Sequence, residues 1–185
     1  MQLDAEASLQ YAVHSHTSTC PLKVIIWGQS IGCAFASHLA ASIIETPCRS
    51  PAEAVEVELE TLILETPFTS ASEMLKTLYP QRWLPYRYLS VFLWNRLDTV
   101  GDLDRIRKAS RAGEQTPHVV VLEGGKDELV PQEHGDEIEM MFKQHRKDGA
   151  GFKRITVEGA LHTQVLSKGG GRRAAADAIG RSSYK

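Results

Sequence analysis

Four short apolar runs, separated by stretches with a helical pattern, constrain the fold of this chain more than any other feature. The runs are rich in β-branched and aromatic residues, which is typical of buried parallel strands. Strands that alternate with helices form a mostly parallel sheet with helices on both faces, so we predict an α/β fold with a sheet of about four strands. The predicted strands are Lys23–Trp27, Thr61–Leu64, His118–Leu122 and Phe152–Val157.

The stretches around these strands predict helices and connectors. The acidic stretch Ala52–Glu60 is predicted to be a connector, and the glycine tract Gly169–Gly171 is predicted to be a loop before the last helix. Between Ala71 and Ala109 we expect helical pieces that are broken at prolines. The other predicted helices are Leu3–His14, Cys33–Ile44, Gln132–His145 and Arg172–Arg181.

The composition excludes several classes of function. The 185 residues fit one domain with a sizeable core. A formal net charge of -2 gives no reason to expect a nucleic-acid partner. Three cysteines without a C-x-x-C pair argue against a disulfide framework or a zinc site and favour a reducing compartment. Because no apolar run is long enough to span a bilayer and the N-terminus lacks a signal-peptide pattern, we expect a cytoplasmic chain.

The turn after the first predicted strand, Gly28–Gly32, has the pattern G-x-S-x-G between an apolar strand and an apolar helix. This is the context of a nucleophile elbow, in which a sharp bend exposes the serine hydroxyl. Both flanking positions are expected to be small because strand and helix approach closely there. We predict Ser30 as the nucleophile and the N–H of Ile31 as an oxyanion donor, aided by the start of the helix. The alternative is a glycine-rich turn that only connects.

An acid and a base follow later strands, which gives the chain order nucleophile, acid, base that accompanies a nucleophile elbow. Asp127 lies just past the third predicted strand, and His162 lies just past the fourth. Both therefore fall at the carboxyl ends of parallel strands, where open α/β sheets build their sites. We predict that Asp127 orients His162 and that His162 activates Ser30, a mechanism that requires no metal or organic cofactor.

Other side chains are alternatives for the roles of acid and base. Glu65 ends the second predicted strand and is the alternative acid, while Glu128 is expected to be an exposed neighbour of Asp127. His118 precedes a strand and so lies at the wrong end of the sheet. We expect the remaining candidates to be surface or filler residues: His14, His16, His38, His134, His145, Asp102 and Asp104.

Four segments together resemble the membrane-associated Bem-type α/β-hydrolases of eukaryotes: Gly28–Gly32, Leu62–Ser70, Gly125–Pro131 and Gly159–His162. The resemblance runs from about residue 3 to residue 163, and the tail beyond Lys168 departs from it. It implies hydrolysis of esters or thioesters by a family whose substrates are poorly defined. It also implies that residues from about 79 to 110 form a cap-like helical segment over the site. Cys33 stands where the family often has a further glycine.

The resemblance also implies that these 185 residues form one N-terminally incomplete domain. The fold normally has about eight strands, and this chain supplies the last four. The first half would hold the second oxyanion N–H and, by the family's pattern, a membrane anchor. Lys23–Trp27 would then be an exposed edge strand through which the chain self-associates.

Two functions follow from these observations. The first is a serine hydrolase of carboxylic esters or thioesters, with the aromatic residues of Tyr79–Trp94 either covering an acyl chain or packing in the core. The second is an inactive fragment retained as an interaction module. Peptide hydrolysis uses the same machinery and stays open.

Overall fold

The computed structural model describes residues 2–15, 22–45, 57–78, 97–111, 117–144 and 151–180. These ranges contain helices α1, α2, α3, α4, α5 and α6 and strands β1, β2, β3 and β4. In chain order they are α1 (Gln2–Ser15), β1 (Leu22–Gln29), α2 (Ile31–Glu45), β2 (Val57–Glu65), α3 (Ala71–Leu78), α4 (Thr99–Arg111), β3 (His118–Gly124), α5 (Gln132–Lys143), β4 (Phe152–Val157) and α6 (Gly169–Gly180).

The four strands form one parallel sheet in the order β1-β2-β3-β4. Gln29 at the end of β1 is level with Glu65 at the end of β2, and Glu65 is level with Leu122 in β3. The carboxyl ends of the strands therefore meet along one edge of the sheet, and the chain leaves the sheet there four times. The predicted α/β fold with a four-stranded parallel sheet is confirmed.

Both faces of the sheet are covered by helices because successive side chains in a strand point to opposite faces. On one face, Leu62 and Leu64 are fully buried in a cluster with side chains of α1, α2, α4 and α5. On the other face, Ile63 and Leu122 pack against the small side chains of α6. Each of these leucine and isoleucine side chains stabilises the fold by about 1.5–3 kcal/mol through burial.

Two predicted boundaries are wrong by more than two residues. β2 begins at Val57, inside the stretch predicted as a connector, because Val57 and Leu59 are buried and alternate with two glutamates. The tract Gly169–Gly171 is not a loop but the first turn of α6. Gly171 lies against the chain at Val165, where an added Cβ would be 2.0 Å from the carbonyl oxygen, so this helix can start there only with glycine.

Part of the predicted structure lies outside the described residues. This holds for the aromatic stretch Tyr79–Trp94, for Cys20 and for Cys48. Of the segment predicted as cap-like, residues 97–110 are described, and α4 there buries Leu103 and Ile106 in the same cluster as α2. Within the described ranges, no helix combines the length and apolar character needed to cross a membrane.

Candidate active site

Ser30 occupies the sharp bend between β1 and α2. Its φ of 51° lies in the left-handed region, which costs a non-glycine residue about 1–2 kcal/mol. The bend is held by two backbone hydrogen bonds: the Ser30 N–H donates to the carbonyl of Glu65 (2.8 Å), and the Cys33 N–H donates to the carbonyl of Ser30 (2.9 Å). Strained backbone of this kind persists only when its surroundings hold it, and it is concentrated at functional sites.

Close packing requires glycine at only one of the two glycine positions of the motif. A Cβ on Gly28 would lie 2.5 Å from the carbonyl oxygen of Gly32 and 2.7 Å from Cα of Cys33, so only glycine fits beneath the start of α2. A Cβ on Gly32 would meet nothing within 4 Å. The expectation that both flanking residues must be small is therefore correct for Gly28 and wrong for Gly32, which faces open space.

The Cys33 side chain is buried beneath the bend. Its sulfur lies 3.2 Å from the carbonyl oxygens of both Gly28 and Glu65, so the single S–H is shared between two acceptors. Burial raises the pKa of the Cys33 thiol far above its usual range, so this sulfur stays protonated and acts as a donor. Cys33 therefore ties the ends of β1 and β2 together below Ser30.

The structure brings Ser30, His162 and Asp127 into one line of hydrogen bonds. His162 Nε2 lies 2.9 Å from Ser30 Oγ, and His162 Nδ1 lies 2.9 Å from Oδ2 and 3.1 Å from Oδ1 of Asp127. The side chains of His162 and Asp127 are only 6% and 3% exposed. Hydrogen bonds between groups this well shielded from water are stronger than exposed ones. The arrangement can move a proton from the serine hydroxyl to the imidazole.

Asp127 and Glu128 fix the surroundings of His162. Asp127 Oδ1 also accepts the N–H groups of Leu129 (2.9 Å) and Val130 (2.8 Å), which sets the orientation of the carboxylate. Glu128 has an exposed side chain, and its Oε2 accepts the backbone N–H of His162 at 3.0 Å. Two adjacent carboxylates therefore hold one histidine.

Ile31 is the first residue of α2. The N–H groups in the first turn of a helix have no acceptor within that helix, and the positive end of the helix dipole lies there. Because Ile31 directly follows Ser30, its N–H belongs to the bend that carries the serine hydroxyl. Its side chain is 54% exposed, so it leaves the surface beside Ser30 apolar.

Comparisons with known proteins show which sequences and folds the chain resembles. No protein-family model matches the chain. The protein Bem46 of Schizosaccharomyces pombe is 28% identical over 131 residues, which are 71% of this chain and 36% of that protein. Two solved structures, Est1E from Butyrivibrio proteoclasticus and the esterase Pf2001 from Pyrococcus furiosus, each match 97% of this chain with a TM-score of 0.60. They are 17% and 13% identical to it, and the match covers 69% and 61% of their chains.

The chain resembles Bem46 in sequence and shares the α/β fold of these two solved structures. The resemblance predicted from the four sequence segments is therefore confirmed. The chain spans about a third of the length of the curated relatives that it matches (36% and 35%).

Glu65, the alternative acid, lies at the same strand ends but has other partners. Its carboxylate accepts a hydrogen bond from Gln29 Nε2 (3.3 Å) and another from the Trp27 side chain, while Asp127 occupies the position beside His162 Nδ1. Burial raises the pKa of the Glu65 carboxyl above its usual value. The Glu65 carboxylate on β2 therefore holds the end of β1 through Gln29 and Trp27.

The sequence-based expectation for His134 is wrong. It was expected to be solvated, but its ring is buried on the inner side of α5, and burial lowers the pKa of His134. Its Nδ1 accepts the N–H of Thr69 at 3.4 Å and lies 3.0 Å from the Thr69 hydroxyl. The contact ties α5 to the loop after β2. No local signal distinguishes His134 from an exposed helical histidine.

A buried ion pair lies behind the Asp127 loop and was not predicted. Glu123, near the end of β3, accepts hydrogen bonds from Arg154 Nε (2.9 Å) and from the Thr156 hydroxyl (2.6 Å). The same arginine reaches Asp136 on α5 at 2.5 Å. Gly135 makes room for the pair, since a Cβ there would lie 2.3 Å from Glu123 Oε2. The network fixes α5 to β3 and β4, and the Asp127 loop connects β3 to α5.

A small apolar cluster joins the elements that carry the nucleophile and the acid. Ala34 on α2, Phe68 in the loop after β2 and Val130 in the Asp127 loop are all buried together. Their contact places the start of α2 against the acid loop. Across the described ranges, no three or more His, Cys, Asp or Glu side chains come together in a way that could bind a metal ion.

Proposed function

We propose that this α/β-hydrolase is a serine hydrolase that cleaves carboxylic esters or thioesters through an acyl-enzyme intermediate. The observation that carries the proposal is the line of hydrogen bonds from Ser30 Oγ through His162 to Asp127, each at 2.9 Å. An alcohol, an imidazole and a buried carboxylate in this order form the arrangement that activates a serine. The esterase from Pyrococcus furiosus shares the fold, which agrees with the proposal.

Acylation begins when Ser30 Oγ attacks the carbonyl carbon of the substrate and His162 Nε2 takes the hydroxyl proton. The carbonyl electron pair moves to oxygen, and the Ile31 N–H donates to the oxyanion that forms. When the oxyanion collapses, the bond to the alcohol or thiol breaks, and the leaving group takes the proton from Nε2. Asp127 stabilises the imidazolium between these two steps.

Deacylation repeats the same proton transfers with water. His162 Nε2 removes a proton from a water molecule, which attacks the acyl carbon, and the proton then returns to Ser30 Oγ as the carboxylic acid leaves. Every proton in the cycle passes through Nε2. The tautomer with Nδ1–H donating to Asp127 is therefore the one that the mechanism needs.

Apolar side chains next to the nucleophile and the base favour an acyl group with apolar surface. Ile31 follows Ser30 and is 54% exposed, and Leu161 precedes His162 and is 37% exposed. Apolar surface that a substrate covers contributes about 25 cal/mol per Å². We therefore expect esters of longer aliphatic acids to be hydrolysed more efficiently than acetates.

Labelling and hydrolysis test the proposal. The 185-residue chain should react with a fluorophosphonate probe and hydrolyse p-nitrophenyl butyrate, because both reactions need an activated serine. Ser30→Ala should abolish labelling and lower kcat by at least about 10³-fold. Ser8→Ala is the matched control, since it removes an exposed hydroxyl on α1 whose hydrogen bond goes to Asp4. Folded chain without labelling, or labelling that survives Ser30→Ala, would disprove the proposal.

Three substrates with the same butyryl group separate the reaction types: the p-nitrophenyl ester, a thioester of N-acetylcysteamine and the p-nitroanilide. Ester and thioester should be cleaved while the anilide is not, because the amine is a much poorer leaving group. Cleavage of the anilide at a comparable rate would assign the chain to peptidases instead.

One observation favours a second function, an inactive domain that acts as an interaction module. In the described part of the chain, β1 pairs with β2 alone, and its other side is the edge of the sheet. Such an edge presents unpaired N–H and carbonyl groups to another chain. A folded chain that takes no probe but self-associates with rising concentration in sedimentation velocity would support this second function.

A further inference from the structure

Two neighbouring carboxylates hold His162 at two different points. Asp127 binds the ring at Nδ1, 2.9 Å from Oδ2, whereas Glu128 binds the backbone, with Oε2 3.0 Å from the amide nitrogen. The mechanism above uses the first contact and gives no role to the second. The second contact reaches the residue whose ring must stay in line with Ser30.

The amide of His162 depends on this side chain because the turn after β4 directs its backbone hydrogen bonds elsewhere. Ala160 N–H donates to Val157, and Gln164 N–H donates to Leu161. His162 itself is only 5% exposed. A shielded N–H without an acceptor is costly, so Glu128 supplies the acceptor that the turn itself does not.

The loop that carries Glu128 is fixed before it reaches His162. Asp127 Oδ1 closes a turn by accepting the N–H groups of Leu129 and Val130. One residue earlier, the Lys126 N–H donates to the carbonyl of Ala160 at 2.9 Å, which joins this loop to the His162 loop. Glu128 is therefore presented from a rigid turn, although its side chain is exposed.

We propose that Glu128 is a positioning residue for His162. This proposal rests on the proposed function, because proton transfer requires the His162 ring to lie in line with Ser30. A histidine ring turns about two side-chain bonds from its backbone. With the backbone held by Glu128 and Nδ1 held by Asp127, Nε2 stays within 2.9 Å of Ser30 Oγ. Without Glu128, the backbone shifts and the ring is held at one point only.

Two substitutions at the same position test this role. Glu128→Ala should lower kcat for p-nitrophenyl butyrate by about 10-fold and leave KM nearly unchanged, because alignment is lost while the substrate contacts stay. Glu128→Gln keeps an acceptor oxygen and should restore kcat to within about 3-fold of the wild type. Glu158→Ala, which removes an exposed carboxylate from the turn after β4, is the matched control and should leave kcat unchanged.

Hydrogen exchange of the His162 backbone amide, followed by NMR, provides a readout that needs no activity. Exchange should be about 10-fold faster in Glu128→Ala than in the wild type, and Glu128→Gln should stay close to the wild type. Unchanged kcat and unchanged exchange in Glu128→Ala would overturn the inference, and so would a Gln variant that behaves like Ala. If the wild type hydrolyses no ester but the exchange rates follow this order, the proposed function fails and the Glu128 contact stands.

Discussion

A single methyl group at Gly28 should separate the nucleophile from its base. The added Cβ would lie 2.5 Å, 2.6 Å and 2.7 Å from the carbonyl oxygen and carbon of Gly32 and from Cα of Cys33. All three are backbone atoms, so no side-chain rotation relieves the overlap. Carbon contacts are most favourable at about 3.5–4.0 Å, so the start of α2 must move away from β1 by about 1 Å.

We expect two effects from this shift. Overpacking of this kind costs about 1–3 kcal/mol, so Gly28→Ala should lower the free energy of unfolding by that amount. Ser30 lies between the two displaced elements, and a shift of about 1 Å lengthens its 2.9 Å contact with His162 beyond hydrogen-bonding distance. Ester hydrolysis should therefore fall by about 10²-fold, more than the loss of stability alone would cause.

Gly32→Ala is the matched control because it adds the same methyl group to the other glycine of the motif. A Cβ there meets nothing within 4 Å, and alanine favours the helix by up to about 1 kcal/mol. Urea unfolding followed by far-UV circular dichroism gives both free energies, and hydrolysis of p-nitrophenyl butyrate gives the activities. Equal stability of the two variants, or wild-type behaviour of Gly28→Ala, would refute the reasoning.

Two further predictions concern buried charges. Arg154→Met should lower the free energy of unfolding by about 2–3 kcal/mol, measured by urea unfolding, because it leaves the Glu123 carboxylate buried without its cation. The folded chain raises the pKa of Glu65 above its unfolded value of 4.5, so the stability from this carboxyl is fully present below that pH and is lost as the pH rises through the folded pKa. Glu65→Gln should therefore make the fall in urea midpoint above pH 4.5 shallower than in the wild type.

Each of these predictions has its own control. Lys153→Met removes an exposed cation beside Arg154 and should change the free energy of unfolding by less than about 0.5 kcal/mol. An Arg154→Met variant as stable as that control would contradict a role for the ion pair. Parallel pH profiles for the wild type and Glu65→Gln would show that the Glu65 carboxyl does not titrate differently in the folded state.

The sheet edge at which the three side chains lie was predictable, because each follows a strand and the carboxyl ends of parallel strands share one edge. Ser30, Asp127 and His162 each follow an apolar run, and in a parallel sheet the ends of such runs meet at one edge. The prediction therefore needed only residue types, chain order and strand position. It did not need the lengths of the loops or the orientation of any helix.

Element boundaries were harder because they depend on pairing rather than on local pattern. The start of β2 at Val57 alternates apolar and acidic residues, as a half-exposed strand does, but its charge also fits a connector. Its pairing with Leu22 in β1 decides the question. Similarly, the glycine tract forms the first turn of α6, where the backbone of Val165 lies against Gly171, and nothing in the tract itself shows that contact.

The roles of Glu128 and His134 could not be predicted, because each arises where two distant parts of the chain dock. Glu128 reaches a backbone amide across 34 residues, and His134 reaches Thr69 across 65. Each contact joins a side chain to a residue far away in the sequence, so neither produces a residue spacing that could be recognised as a motif. The sequence alone does not show how these loops pack against one another.

The hydrogen bond between Ser30 and His162 joins the two outermost strands of the described sheet. Ser30 follows β1 and His162 follows β4, and these two strands lie three strand spacings apart, about 14 Å. The 2.9 Å contact between His162 Nε2 and Ser30 Oγ therefore links the segments that follow these two strands. Ligand binding and the stability of the sheet are therefore thermodynamically linked. A ligand that contacts both Ser30 and His162 stabilises the pairing of β1 and β4 with the rest of the sheet, and local unfolding of either strand separates the two side chains.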